Sequence, residues 1–337
     1  MRTPIILVLG AAAVAGALVW AGLSGPAAAG PAGPASPARA AGQVTVYAAS
    51  GSGTVVPIRA ATNTALKAIR VGRLPAAIAI TPDGQTAYVV NDTSGTVTPI
   101  RTATNTAGKP IKVGKGAFAI AMTPDGHTAY VVNQGSGTVT PIRTATNTPG
   151  KAIKVGNNPA AIAITPDGQT AYVVNEGSGT VTPIRTATNT PGKAIKAGGN
   201  PSAIAITPDG QTAYVASIIG HTVIPIRTAT NTPGKPISAG GPGSDAREWI
   251  AITPDGATAY LASLGSRTVT PIRTATGTAG QPIKIGGAGP IVITPSGATA
   301  YVASYLGRTV TPIRTATNTA RQPITVGNGV FAIAITP

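Results

Sequence analysis

A tyrosine recurs along this chain at a nearly fixed interval: Tyr47, Tyr88, Tyr130, Tyr172, Tyr214, Tyr260 and Tyr301 stand 41, 42, 42, 42, 46 and 41 residues apart. Self-similarity at such a period constrains the fold more than any local preference, because each unit must bury its apolar face against copies of itself. Seven units fill residues 44–337. The unit over 160–198 divides into four strand-like runs: A at 161–165, B at 170–175, C at 180–186 and D at 194–197. Four short strands per period is the pattern of a propeller blade. The sequence therefore predicts an all-β, seven-bladed β-propeller of four-stranded antiparallel blades.

Each run has a reason to be a strand in its place. In Ala161-Ile162-Ala163-Ile164 small and branched side chains alternate, which suits an innermost strand where blades converge. Thr165-Pro166-Asp167-Gly168 is hairpin chemistry: Pro presets the first turn dihedral, Asp caps its own backbone, and Gly accepts the left-handed position. Ala171-Tyr172-Val173-Val174 is a continuous apolar run, as a strand covered on both faces requires. Lys109-Pro110-Ile111-Lys112-Val113 carries Lys and Pro, the marks of an exposed outer edge. The first unit begins at strand B, and the chain finishes on an unpaired strand A, Phe331-Ala332-Ile333-Ala334-Ile335. That last strand is expected to pair with the N-terminal blade and close the ring.

Ahead of the repeats, Arg2, an apolar run over 5–23 and Ala27-Ala28-Ala29 form an export signal. Residues 1–29 read as a signal peptide, or as a retained membrane anchor, since about 19 apolar residues can just span a bilayer. Residues 30–42 are an Ala/Gly/Pro-rich linker, and 43–337 the propeller. The chain is expected to be secreted or associated with the cell envelope, and monomeric. There is no Cys. This excludes disulfides, thiolate metal sites and cysteine nucleophiles. No cofactor is indicated.

The phrases Tyr88-Val89-Val90-Asn91, Tyr130-Val131-Val132-Asn133 and Tyr172-Val173-Val174-Asn175, each followed by a Ser-Gly-Thr-Val-Thr run, resemble YVTN-family β-propeller repeats. The phrases Thr186-Ala187-Thr188-Asn189-Thr190 and Ile164-Thr165-Pro166-Asp167-Gly168 strengthen the likeness, which covers the chain beyond the linker. The resemblance implies a seven-bladed, exported or surface propeller, usually without assigned chemistry; lactonases and quinoprotein-like domains are more distant relatives in shape. It transfers no active site, because the repeat residues determine the fold. Three units depart from the pattern: Tyr214-Val215-Ala216-Ser217, Tyr260-Leu261-Ala262-Ser263 and Tyr301-Val302-Ala303-Ser304.

Where the repeat breaks, a site can be sought. The loop Gly240-Gly241-Pro242-Gly243-Ser244-Asp245-Ala246-Arg247-Glu248-Trp249 lengthens one unit and carries the only Trp beyond the leader; it adjoins the unit whose B-to-C loop holds His221. Uneven loops on one end of a symmetric scaffold are where specificity usually resides. Asp245, Arg247, Glu248, Trp249 and His221 are the candidate ligand-binding set, with Arg73, Lys115, Asn158 and Asn200 from equivalent loops as rim contacts. The bland alternative is a neutral insertion with Trp249 packed against its own blade. An Arg also ends each strand C. Its local reading is pairing with the Asp of the same blade's A-to-B turn, or bonding to turn carbonyls, at about 0–1 kcal/mol each. Ser296 replaces that Asp in one unit and the chain ends interrupt another, which leaves Arg314 and Arg59 as candidate anion contacts.

Catalytic signals are sparse. His127 and His221 fall on opposite faces and cannot share a centre or make a His-rich metal site. The recurring Gly-Ser-Gly-Thr precedes no helix, so it is neither a phosphate loop nor a nucleophile elbow. Glu248 with His221 is the one conceivable acid/base pair. With nine acidic residues the chain carries a net charge of +16. Anionic envelope polymers or lipid head groups are therefore plausible partners; nucleic acid is disfavoured, since few aromatics are present to stack bases. The leading expectation is a noncatalytic binding or scaffolding propeller with a small molecule or protein, unidentified, on the loop face. The alternatives are an exported lactonase-like hydrolase or lyase and a basic adhesion module.

Overall fold

The computed structural model describes residues 45–50, 53–59, 64–239, 247–304 and 309–325. The leader, the linker, Asp245 and the expected closing strand at 331–335 lie outside these residues. The described chain forms seven antiparallel sheets, each built from consecutive strands. Blade 4 is typical: A is Pro159–Ile164, B is Thr170–Asn175 and C is Thr180–Arg185. Its D strand differs from the single run expected. It is two short pieces, Thr190–Pro191 and Ile195–Lys196, each paired with one end of strand C. The Gly192 amide still bonds to the Pro183 carbonyl, but Pro183 has no amide to return, and the ladder breaks there.

The period-2 alternation of strand B explains why its apolar run is unbroken. In blade 4, Ala171 and Val173 pack with Phe118, Ala119 and Tyr130 of blade 3. Tyr172 and Val174 turn the other way, against Ile204, Val215 and Ile226 of blade 5. Every B residue thus seals a seam, each fully buried Val worth about 1.5–3 kcal/mol. The A strands of successive blades lie against one another and gather at the centre, where their alanines let the chains converge.

Polar clamps fix the blades to each other. The hydroxyl of Tyr130, in strand B of blade 3, donates to Asn189 Oδ1 at 2.7 Å in the C-to-D turn of blade 4. Tyr47, Tyr88, Tyr172 and Tyr260 repeat this with Asn105, Asn147, Asn231 and Asn318. Each of these asparagines sits at φ between 51° and 56°, a conformation that Asn tolerates better than other side chains. Gly277 takes this place in blade 6, so Tyr214 keeps only the Thr274 carbonyl at 3.2 Å.

A second clamp closes each regular hairpin from within. Asn133, fully buried at the end of strand B, accepts from the Gly114 amide and donates to Thr138 and Thr140. The fit demands glycine: a Cβ on Gly114 would lie 2.6 Å from Asn133 Cγ. In the A-to-B turns, Asp209 accepts from the Thr207 hydroxyl and from the Gln211 amide. These donors hold Asp209 below the usual carboxylate range.

That turn chemistry corrects one expectation. Among the described residues no Arg at the end of strand C pairs with an Asp, because each carboxylate is already engaged over its own turn. The turn carbonyls are taken as well, for example Gly126 by the Thr144 hydroxyl. The arginines, Arg314 included, project into solvent. Of Arg59 only the backbone is described, in strand C of blade 1.

Candidate functional site

The D-to-A loops and the B-to-C turns meet on the face away from the arginines. Two positions of the repeat matter there. The B-to-C turn needs a residue in the left-handed region, and Gly95, Gly137 and Gly179 supply it at φ of 57° to 64°. In blade 5 the same position is His221, at φ 47°. A side chain there costs roughly 1 kcal/mol relative to glycine. The other position opens strand A. Ala76, Phe118, Ala160 and Ser202 occupy it in blades 2 to 5, at a bulge that the ladder skips. In blade 6 the ladder runs on without a bulge, and the position is Glu248, paired with Ser263.

These two departures from the repeat land side by side. His221 Nδ1 lies 3.8 Å from Glu248 Oε1; the histidine side chain is 27% exposed and the carboxylate fully covered. Neither Glu248 oxygen, nor His221 Nδ1, nor the Oγ of Ser202 has a hydrogen-bond partner in the protein. Every buried side-chain polar atom so placed among the described residues belongs to these three side chains. Burial pushes the Glu248 carboxyl up to about 8, so the acid form dominates at neutral pH. A buried polar group without a partner costs about 1–3 kcal/mol, and a cluster of them beside a strained backbone marks a site built for something other than stability.

Arg247 extends the cluster across the opening. Its guanidinium carbon lies 5.7 Å from the ring centroid of Phe118, which stands three blades away at the position that Glu248 occupies in blade 6. A cation over an aromatic face at this distance is worth about 0.5–1 kcal/mol or more. Arg247 thus adjoins Glu248 in sequence while its guanidinium rests over Phe118.

Of the expected set, the structure brings together Glu248 and His221, and it sets the Arg247 guanidinium over Phe118. Trp249 is placed otherwise: 5% exposed, it packs with Tyr260, Ile291 and Val302 between blades 6 and 7. It occupies a position that is Ala77, Ala119, Ala161 and Ala203 elsewhere, so its indole fills the seam and not the mouth. Arg73, Lys115, Asn158 and Asn200 are exposed on the same face, outside the buried cluster. Asn158 and Asn200 have backbone reasons to be there, with φ of 51° and 50°. Ser202 and Phe118 were not anticipated; their signal was that a serine and a phenylalanine stand where the equivalent residue is alanine. A groove of about 460 Å³ lined by Leu66, Lys67 and Asn105 lies on the outer rim, remote from this cluster.

Residues 142–326 match the family described as lactonase, 7-bladed beta-propeller, more than half of the chain. The chain belongs to that lactonase family. Its members' fold returns in the solved structures that this lactonase-family propeller resembles. A putative 6-phosphogluconolactonase from Bacteroides fragilis has a TM-score of 0.69 at 17% identity, over 87% of this chain and 98% of that one. A functionally unknown protein from Desulfotomaculum acetoxidans has a TM-score of 0.67 at 20% identity, over 84% and 96%. Kuenenia stuttgartiensis hydrazine synthase has a TM-score of 0.68 at 22% identity, over 76% and 87%. At these identities the likeness is one of fold. No curated protein is similar enough in sequence to match.

Proposed function

We propose that this lactonase-family propeller is a lactonase-like hydrolase, with His221 as general base and Glu248 as the buried partner of its imidazole. The observation that carries this reading is the 3.8 Å approach between a histidine at positive φ and a fully buried carboxyl; the histidine's turn position is glycine in blades 1 to 4 and Arg267 in blade 6, and the carboxyl stands where blades 2 to 5 have a small or apolar residue. Exposure orders their roles. Glu248 lies behind the ring at Nδ1, and the partly exposed imidazole faces the mouth. Nε2 can then take a proton from a water that attacks the carbonyl of a cyclic ester. The ring C–O bond breaks, the proton passes to the departing oxygen, and a hydroxy acid leaves. An ionised Glu248 stabilises the imidazolium formed in between. Arg247, next to Glu248 in the chain, is the cation assigned to the developing oxyanion. The family match supports catalysis over a purely scaffolding role. Export is part of the reading, on the strength of the leader pattern at 1–29.

The test restores the repeat. His221→Gly and Glu248→Ala install the residues that other blades carry, so both variants should fold. Hydrolysis of a panel of five- and six-membered lactones should fall by about 10²–10⁴-fold in either one. Because the ionised carboxylate is required, the wild-type rate should climb as pH rises through about 8. Turnover that survives the double substitution, or a wild-type chain that opens no lactone, sinks the reading.

A further inference from the structure

The excess positive charge of the chain is concentrated in one place. In the D segments, Lys109 and Lys112, Lys151 and Lys154, and Lys193 and Lys196 are all exposed, and every other blade carries one or two further Lys or Arg in its D segment. No Asp or Glu occurs in any of the seven. On the arginine face the charges are mixed instead, since exposed Arg101, Arg143 and Arg185 share each blade with Asp83, Asp125 and Asp167. The D segments are also continuous from blade to blade. The second D piece of one blade abuts the first D piece of the next, Ile111–Lys112 against Thr148–Pro149 and Ile153–Lys154 against Thr190–Pro191, and so on to blade 7. The basic residues therefore form a cationic belt along the outer edge from blade 1 to blade 7.

Protecting an outer edge strand from pairing calls for charge, and either sign serves. A belt of one sign, repeated in seven D segments, answers to something more. We infer that the rim is a docking surface for a flexible linear polyanion with a phosphate backbone, which follows the belt around the disc. The shape decides against a flat membrane, which can touch only the lysines of one or two blades at once. The residue type favours phosphate: lysine is a compact point charge that seeks charge density, where planar carboxylates are matched by the fork of arginine. This inference does not depend on the activity proposed for the mouth.

The full chain should be titrated with long-chain inorganic polyphosphate, with tripolyphosphate and with phosphatidylglycerol vesicles. Polyphosphate should bind tightest, and its affinity should fall steeply as ionic strength rises above about 0.1 M. The variant Lys151→Gln, Lys154→Gln, Lys193→Gln, Lys196→Gln removes two adjacent sectors of the belt. It should bind at least about tenfold more weakly and show a smaller salt slope. The control Arg101→Gln, Arg143→Gln, Arg185→Gln, Arg227→Gln removes the same net charge from the other face and should stay within about threefold of wild type. Equal losses in the two variants would reduce the effect to net charge and overturn the belt. So would tripolyphosphate binding as tightly as the long chain, vesicles binding more tightly than polyphosphate, or no binding at all.

Discussion

Blades 2 to 4 and the seam between blades 5 and 6 are built on one repeat, yet they treat polar groups in opposite ways. In the regular blades each buried polar side chain is satisfied: Asn133 by Gly114, Thr138 and Thr140, and Tyr130 by Asn189 and the Thr186 carbonyl. At the seam, both Glu248 oxygens, His221 Nδ1 and Ser202 Oγ are covered and left without hydrogen-bond partners. The regular blades spend their sequence on rigidity, and the seam gives up part of that stability to hold reactive groups in a fixed place. Selection for folding alone would not maintain such a contrast.

The largest test of that contrast is the pH dependence of stability. Glu248 is raised from 4.5 to about 8 in the native chain. Below pH 4.5 native and unfolded forms both hold the proton, and the group costs nothing extra. As pH rises towards 8 the unfolded chain ionises while the native one resists, so wild-type stability is lost progressively and the full penalty, about 3–5 kcal/mol, applies above 8. Glu248→Gln should flatten this slope and leave the variant more stable than wild type at pH 9, read by urea denaturation across the range. Parallel profiles for the two proteins would mean that the carboxyl finds a partner after all.

In the regular region the expectation reverses, because any change there removes something already satisfied. Gly114→Ala drives a Cβ to within 2.6 Å of Asn133, and should cost about 2–3 kcal/mol through overpacking and the loss of the clamp. Gly286→Ala is the matched control, since nothing lies within 4 Å of its Cβ; its midpoint should move by less than about 0.5 kcal/mol. Comparable losses in both would show that the clamp is not what makes the regular blades rigid.

The tyrosines give a smaller and finer comparison. Tyr130→Phe loses bonds to Asn189 and to the Thr186 carbonyl, and should cost about 1–2 kcal/mol in chemical denaturation. Tyr214→Phe loses only the Thr274 carbonyl and should cost about half as much. Equal costs would mean that the asparagine adds nothing to the latch.

How much of this was legible beforehand follows from the physics of repeats. Strand B of blade 4 falls on residues 170–175, as expected, because period and alternation both report burial directly. The split of strand D is not legible in D itself, because the residue that breaks its ladder is the proline opposite it in strand C. Glu248 and His221 were visible because a change of spacing and a rare residue are both local signals. Their contact was not visible, as it depends on two blades meeting. The role of Trp249 was open for the same reason: an indole in a loop and an indole in a seam differ only in what lies opposite. The tyrosine latch recurred in plain view, but its two halves stand 58 or 59 residues apart, beyond the reach of pattern reading within one unit.

That latch can be repaired as well as broken. Gly277 occupies the asparagine position of blade 6 with φ 61°, within about 10° of the five latch asparagines. A Cβ there would meet Ile237 Cδ1 at 3.5 Å, an ordinary contact. Gly277→Asn should therefore fit, bond the Tyr214 hydroxyl, and raise stability by about 0.5–1 kcal/mol. Part of any gain comes from restricting the unfolded chain, since glycine is its most mobile residue. The same substitution in a Tyr214→Phe background separates the two contributions, because the entropic part persists there and the hydrogen bond does not. If the gain is the same in both backgrounds, the asparagine is kept for its backbone alone, and the seam between blades 5 and 6 is no looser at this latch than its regular neighbours.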